Sequence, residues 1–358
     1  MRDSDSVRLR LNVTRRRMLR AGFYEGARAG LSCPPMRRSA LIAVAAALVV
    51  SVFGGCGSSP RAPAPRSASL ILDFQPNAVH AGIYAALQRG YDVSSGIRLH
   101  VVVPSASTDA IKLLETGRAN FAILDIHDLA IARERGENIV AIMAIVQRPL
   151  AAVIAAPRIR GPRALQGQTV GVTGVPSDTA VLHSIVAGAG GAPAKVRSVT
   201  IGFNAVADLL AGRVAGATAF WNDEGVTIQR RRPGFHVFRV DQYGAPSYPE
   251  LVLCATAAGL RSDPVLAHDV VRALVRGYRT VLADPQAAGS ALEARVPGLD
   301  PALIKPELQA LLTAFRLPGG TVGELDRRRL QGWARWELRF GIVDRLPDVA
   351  ATFNSRFQ

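Results

Sequence analysis

The sequence predicts an α/β fold of two similar lobes with a helical C-terminal tail. Three observations carry that expectation. From Ser69 onward, short apolar runs alternate with helical segments. Two helix-to-strand passages, ending at Gly117-Arg118 and at Gly212-Arg213, repeat one spacing. From Pro264 to Phe340 the pattern turns wholly helical.

Leu70–Leu72 reads as the first strand and His80–Arg89 as the helix after it. Arg98–Val103 and Thr108–Glu115 make the next strand and helix, and Phe121–Leu124 and His127–Glu134 the third pair. Val140–Val146 and Ala151–Ala155 are apolar runs with almost no helix between them. Strands continue at Thr169–Val172, Ser198–Ile201, Ala215–Phe220 and Phe235–Val240, with helices Thr179–Ala187 and Ala205–Leu210 separating the first three. In each repeated passage a helix stops at a glycine able to take the left-handed conformation, and a buried strand follows. A shared two-lobe plan explains the echo most simply, although such connections can also arise independently.

The tail is expected as helices Pro264–Ala283, Pro285–Arg295, Pro301–Phe315 and Thr321–Phe340, several opened by an early proline. Trp333, Trp336 and Phe340, at i, i+3 and i+7, make a core stripe. Arg230-Arg231-Arg232 is read as a solvated surface. Cys254, inside the strand-like run Leu251–Ala255, is read as a buried, inert thiol.

Ahead of the body, Met36-Arg37-Arg38, the apolar run Leu41–Phe53 and Gly54-Gly55-Cys56 have the layout of a secretory signal. The run is shorter than the roughly 20 residues a bilayer span needs. A cysteine directly after Gly-Gly resembles a bacterial lipobox, with Phe53 where Leu is usual, so Cys56 is the expected lipidation site. Residues 1–35 are Arg-rich without periodicity and are read as a leader outside the native protein, with translation starting at Met36. Residues 56–68, dense in Pro and Ser, form an extended tether.

Composition narrows the function. A formal charge of +15 invites a nucleic-acid reading, but residues 1–55 hold ten Arg against three acids, a net +7. The remaining +8 is spread without a basic stripe, so no nucleic-acid partner is expected. With 49% hydrophobic residues and three cysteines, the chain is neither disordered nor disulfide-dense. No spacing of ligands suggests a metal, and no cofactor is expected.

The stretch Asp73-Phe74-Gln75-Pro76-Asn77-Ala78-Val79-His80-Ala81-Gly82-Ile83-Tyr84 carries a specific resemblance. It resembles the Asp-Trp-x-Pro-Asn-x-x-His-x-Gly-x-Tyr signature of the thiamine-pyrimidine-precursor-binding family of ABC-transporter substrate-binding proteins. Looser matches follow in order: Gly171–Asp178, Trp221–Glu224 and Tyr243–Pro249. The resemblance covers residues 69 to about 345 and implies a type II periplasmic-binding-protein fold, two α/β lobes with a ligand cleft between them. Residues 69–152 with 245–358 would form the first lobe and 153–244 the second.

The residues suit such a cleft. Asp73 closes the first strand, where open α/β sheets place ligands, and its carboxylate can accept from an exocyclic amine. Phe74, which replaces the usual Trp, offers a face for stacking. Asn77 and His80 either touch ligand or cap and pack the following helix. Tyr84 either lines the wall or fills core. Thr173, Ser177 and Asp178 join a strand to a helix, whose exposed N–H groups suit an anionic or carbonyl group, unless the side chains serve only as caps. The resemblance implies an aromatic wall at Trp221 and a pyrimidine-binding carboxylate at Glu224, with Asn222, Tyr243 and Tyr248 beside them. Asp125, closing its strand, is a further candidate. Ser105, in the run to Thr108, either faces ligand or caps.

The expected protein is a non-enzymatic, monomeric, lipid-anchored binding protein of an ABC importer. It would capture a small nitrogen heterocycle by lobe closure and pass it to a permease and its ATPase. Riboflavin, a sulfonate or nitrate are the alternative solutes. The enzymatic alternative, a pyrimidine synthase of the same fold, would use a Lys-bound pyridoxal cofactor and a Cys-rich iron motif, for which the chain lacks the cysteines.

Overall fold

The computed structural model describes residues 64–358. The expected leader, the signal, Cys56 and most of the tether lie outside the described residues. Chain order begins with β1 (Arg66–Ile71), β2 (Ile97–Val102), β3 (Phe121–Asp125) and β4 (Ile139–Ala144). It continues through β5 (Ala151–Ala155), β6 (Thr169–Val172), β7 (Arg197–Thr200), β8 (Gly216–Phe220) and β9 (His236–Arg239) to β10 (Leu251–Thr256).

These strands make two five-stranded sheets, ordered β2-β1-β3-β10-β4 and β7-β6-β8-β5-β9. In each, three neighbouring strands run parallel and the fourth is antiparallel to both its neighbours. The protein therefore has the two-sheet α/β architecture of a type II periplasmic-binding fold. The chain passes from the first sheet to the second between β4 and β5 and returns between β9 and β10.

The repeated sequence passages occupy equivalent places. Gly117 and Gly212 both take φ 68°. Beyond each, an arginine N–H reaches back five residues, Arg118 to the Leu113 carbonyl at 2.9 Å and Arg213 to that of Asp208 at 2.9 Å. Both closures feed the third strand of their sheet, β3 or β8.

Side-chain alternation splits the first sheet between two cores. Leu70 and Leu72 face the helices Ala81–Gln88 and Pro264–Ala283, while Ile71 faces the opposite side with Trp333 and Trp336. The two helices on the first face approach through glycine. A Cβ on Gly82 would stand 2.4 Å from the Tyr278 ring, and one on Gly277 would stand 2.0 Å from the Gly82 carbonyl oxygen. Tyr278 then donates its hydroxyl to the Val79 carbonyl at 2.9 Å, fixing the segment between β1 and its helix.

Several boundaries differ from expectation for local reasons. β1 begins at Arg66, inside the expected tether, where the guanidinium pairs with Asp263 at 2.9 Å and Asp269 at 2.5 Å. The last long helix starts at Arg327 rather than Thr321: Gly323 sits at φ 89° against Met143, and Asp326 caps through the Arg329 N–H. The helix from Pro301 ends at Leu311. A helix at Glu224–Arg231 was not expected; Arg230–Arg232 at its end are exposed, as a solvated run should be. Trp333 and Trp336 are buried, and Cys254 is buried with its thiol pushed up by desolvation. Among the described residues, no helix is long and apolar enough to cross a membrane.

Candidate ligand cleft

A cavity of about 110 Å³ lies where the C-terminal edges of the parallel strands of both sheets face one another. From the first sheet come Asp73 and Phe74 after β1, Ser107 after β2, and Asp125 and Asp128 at and after the end of β3. The second supplies Thr173, Ser177 and Asp178 after β6, Phe203 after β7, and Phe220, Asp223 and Glu224 at and after the end of β8. Aliphatic residues such as Ile111, Ile123 and Val181 complete the wall.

The two walls touch. Phe74 meets Phe203 edge-on with ring centroids 4.5 Å apart. Asn77 Nδ2 donates to Asp223 Oδ2 at 2.8 Å, Ser107 Oγ to the Thr173 carbonyl at 3.3 Å, and the Ser177 N–H to Asp128 Oδ1 at 3.2 Å. This is a closed cleft.

The segment after β1 is wired by Asn77 and His80. Asn77 Oδ1 accepts the Val79 N–H, and the Asn77 N–H donates to His80 Nδ1 at 3.2 Å. With Nδ1 an acceptor, the ring's hydrogen sits on Nε2, which donates to Asp73 Oδ1 at 2.9 Å. Asp73 is thus aimed by a histidine that does not itself line the cavity. On the facing wall, Glu224 Oε2 accepts the Phe220 N–H at 3.0 Å.

Carboxyl groups dominate the polar lining. Burial raises Glu224 to about 8, helped by the charge of Asp223. Burial likewise raises Asp128 to about 8 and Asp223 to about 6. Behind this wall Glu307, on the helix Pro301–Leu311, is raised by burial to about 9 and meets the Ala78 N–H.

The loop after β6 is organised differently from the expected anion cradle. Asp178 accepts from the Thr173 hydroxyl at 2.8 Å, the N–H groups of Gly174 at 2.7 Å and Val175 at 3.2 Å, and the Thr218 hydroxyl at 3.1 Å. Asp128 takes the Ser177 N–H. The backbone donors that would meet an anionic group are occupied by the protein's own carboxylates.

Other candidates stand away from the lining. Ser105 is exposed and bonds Asp109, leaving the lining to Ser107. Tyr84 is buried in the first core, its hydroxyl raised by burial to about 12. Trp221 donates Nε1 to the Pro149 carbonyl at 2.9 Å, and the Arg239 guanidinium lies 4.2 Å above its ring. Asn222 is fully buried, and neither side-chain polar atom finds a partner among the described residues. Tyr243 packs edge-on against Phe238, beside the helix Asp178–Gly188.

Tyr248 belongs to a second buried cluster at the crossovers. Its hydroxyl bonds His127 Nε2 at 3.0 Å, while His127 Nδ1 bonds Glu337. Glu250 Oε1 lies 3.5 Å from His127 Nε2, and Glu250 Oε2 accepts the N–H groups of Leu150 and Ala151. Burial alone would lower His127, but Glu337, Asp125 and Glu250 outweigh it and raise the imidazole to about 10. Asp125, which lines the cavity and also caps its helix through the His127 N–H at 2.8 Å, is raised by burial.

Sequence reasoning did not single out Asp128, Phe203, Thr218 or Phe220, and it took Asp223 only as part of a motif. Asp128 had a local signal: it stands three residues after Asp125 at the same strand-to-helix junction. Phe203 lies in an irregular loop and acquires meaning only opposite Phe74.

Comparison with known proteins agrees with this architecture. The formylaminopyrimidine-binding protein of Halalkalibacterium halodurans is 29% identical over 275 residues, covering 75% of this chain and 83% of that protein. The riboflavin-binding protein RibY of Chloroflexus aurantiacus is 27% identical over 63% of this chain and 67% of its own. A 4-amino-5-hydroxymethyl-2-methylpyrimidine phosphate synthase of Legionella pneumophila is 22% identical, covering 81% and 91%. Among solved structures, the alkanesulfonate-binding protein SsuA from Xanthomonas axonopodis pv. citri superposes with a TM-score of 0.65 at 14% identity, covering 82% of this chain and 99% of that one. The NMT1/THI5-like family model matches residues 77–288, and the chain belongs to that family.

Proposed function

We propose that this protein is the substrate-binding component of an ABC importer and captures a small nitrogen heterocycle, foremost a thiamine-type pyrimidine precursor. The observation that carries this reading is the wall chemistry. The cavity closes between two α/β halves and pairs aromatic edges at Phe74 and Phe203 with carboxyl groups at Asp73, Asp223 and Glu224. Such groups accept from amine and ring N–H donors while an apolar wall takes the ring. The formylaminopyrimidine-binding relative supports the same ligand class.

Size favours a single ring. About 110 Å³ compares with the roughly 150 Å³ of an engineered cavity that holds benzene. A three-ring flavin would require a wider opening than this closed cleft offers. Sulfonate and nitrate lack the N–H groups these carboxyls call for.

Binding works through lobe closure. Ligand that bridges both walls stabilises the closed form, and the permease with its ATPase reads that form. A diacylated Cys56 anchors the chain to the outer face of the cell membrane, with the Pro/Ser-rich segment as tether, and the protein acts as a monomer without cofactor or covalent chemistry. A calorimetric panel of aminopyrimidines, riboflavin, alkanesulfonates and nitrate tests the ligand class: micromolar or tighter binding of an aminopyrimidine is expected. Binding of sulfonate or nitrate alone would overturn it. Mass spectrometry of the N-terminus in the native host tests the anchor, which requires a lipid-modified Cys56.

A further inference from the structure

We infer that the cavity takes its ligand as a cation: a small nitrogen heterocycle that is protonated on its ring or carries an ammonium arm. This rests on the heterocycle reading above and adds a charge requirement to it. Six carboxyl groups line the space, those of Asp73, Asp125, Asp128, Asp178, Asp223 and Glu224, and no Lys, Arg or His is among the lining residues. A neutral aminopyrimidine uses one or two acceptors. Six buried or half-buried carboxyls with no cationic side chain in the wall exceed that need, and such groups stay ionised only when paired.

The protein supplies little of the missing charge from behind. His80 is the imidazole nearest Asp73: its Nε2 donates to Asp73 Oδ1 while its Nδ1 accepts the Asn77 N–H, and at Asp223 it opposes burial without outweighing it. Beside Asp223 and Glu224 stands Glu307, a further acid, on the packed helix Pro301–Leu311. His127 faces Asp125, but it is held by Glu337 on the helix Arg327–Arg339 and by Glu250 before β10. Its positive charge is matched within that cluster.

Among the carboxyls with an oxygen to offer is one from each half. The protein bonds Asp73 through Oδ1 and Asp223 through Oδ2, and their second oxygens receive no protein hydrogen bond among the described residues. Both belong to the cavity wall, from opposite halves. An anionic ligand would instead meet acids on every side, with the loop N–H groups at Gly174, Val175 and Ser177 already taken.

Within the wall itself, burial and neighbouring acids favour protons on Asp128 and Glu224, both raised to about 8. A bound cation replaces them, so binding releases protons to solvent.

Calorimetry at neutral pH in two buffers of different ionisation enthalpy separates the cases. The probes are an aminopyrimidine with an aminomethyl arm, charged at that pH, its neutral hydroxymethyl counterpart, benzylammonium and ethanesulfonate. The expected result is at least about tenfold tighter binding of the aminomethyl compound than of the hydroxymethyl one, the worth of one charged hydrogen bond, with buffer-dependent proton release. Glu224→Gln and Asp223→Asn should each shrink that ratio. Equal or tighter binding of the hydroxymethyl compound without proton release would overturn the charge requirement and leave the heterocycle reading standing. Binding of benzylammonium with neither pyrimidine bound would instead overturn the heterocycle reading.

Discussion

Asn77 reaches across the cleft to Asp223: its Nδ2 donates to Oδ2 at 2.8 Å while its own Oδ1 accepts the Val79 N–H at 2.9 Å. One side chain therefore caps a helix start in the first half and holds an acid in the second. The two duties can be separated. Serine is as good a cap but too short to span the cleft. Asn77→Ser should leave thermal stability nearly unchanged and weaken ligand binding about tenfold, the worth of one hydrogen bond to a charged group. Small-angle scattering should show a larger radius of gyration for the unliganded variant. An unchanged affinity and radius would mean that this bond does not hold the closed form.

Glu250 is the corresponding tie at the crossovers. It is fully buried and binds the backbone of the opposite crossover at Leu150 and Ala151 while facing His127. Glu250→Gln keeps an acceptor for the backbone but removes one of the negative charges that balance His127. Urea unfolding should show a loss of about 3 kcal/mol, as expected when a buried ion pair loses one partner.

Stability should depend on pH in one direction. In the folded protein His127 is raised from 6.5 to about 10, Asp128 and Glu224 to about 8, and Glu307 to about 9. Each group binds its proton more tightly when folded, so its contribution is complete below its unfolded pKa and disappears as pH rises through the folded one. The carboxyl contributions begin to fade above about pH 4 and are gone near pH 9; that of His127 fades between about pH 6.5 and pH 10. The melting temperature of the unliganded protein should therefore fall steadily from about pH 6 to about pH 9. Circular dichroism melts across that range check it, and a rising melting temperature would contradict the protonated state of the cavity wall.

The glycine in the first motif has a packing role. Gly82→Ala places a methyl 2.4 Å from the Tyr278 ring, where the two helices are already in close approach at Gly277. The cost should be about 2 kcal/mol, in the range for overpacking a tight core. Because Tyr278 also holds the Val79 carbonyl, ligand affinity should fall along with the melting temperature.

Much of the fold was legible because strands buried on both faces leave unbroken apolar runs, as at Phe121–Leu124 and Ala151–Ala155. The paired glycines at 117 and 212 were legible because the left-handed turn demands that residue. The helix Glu224–Arg231 escaped notice because Gly225 and Thr227 weaken its pattern and its end reads as a charged run. Asp73 and Glu224 could be named from motifs, Asp73 in the turn after β1 and Glu224 at the start of the helix that follows β8. The pairs Phe74–Phe203 and Asp128–Ser177 could not, because nothing local to either partner records where the other lobe's loops arrive.

The whole second sheet lies on one continuous stretch of chain, from β5 to β9, and its first and last strands in chain order are neighbours, with Ala152 paired to Arg239 where the chain enters and leaves. The first sheet is instead closed by β10 only after that stretch has been made. A ribosome therefore finishes the second half before the first can complete its sheet. The inserted half could be excised and circularised at its neighbouring ends, whereas the host half could be rebuilt only by a linker joining β4 to β10.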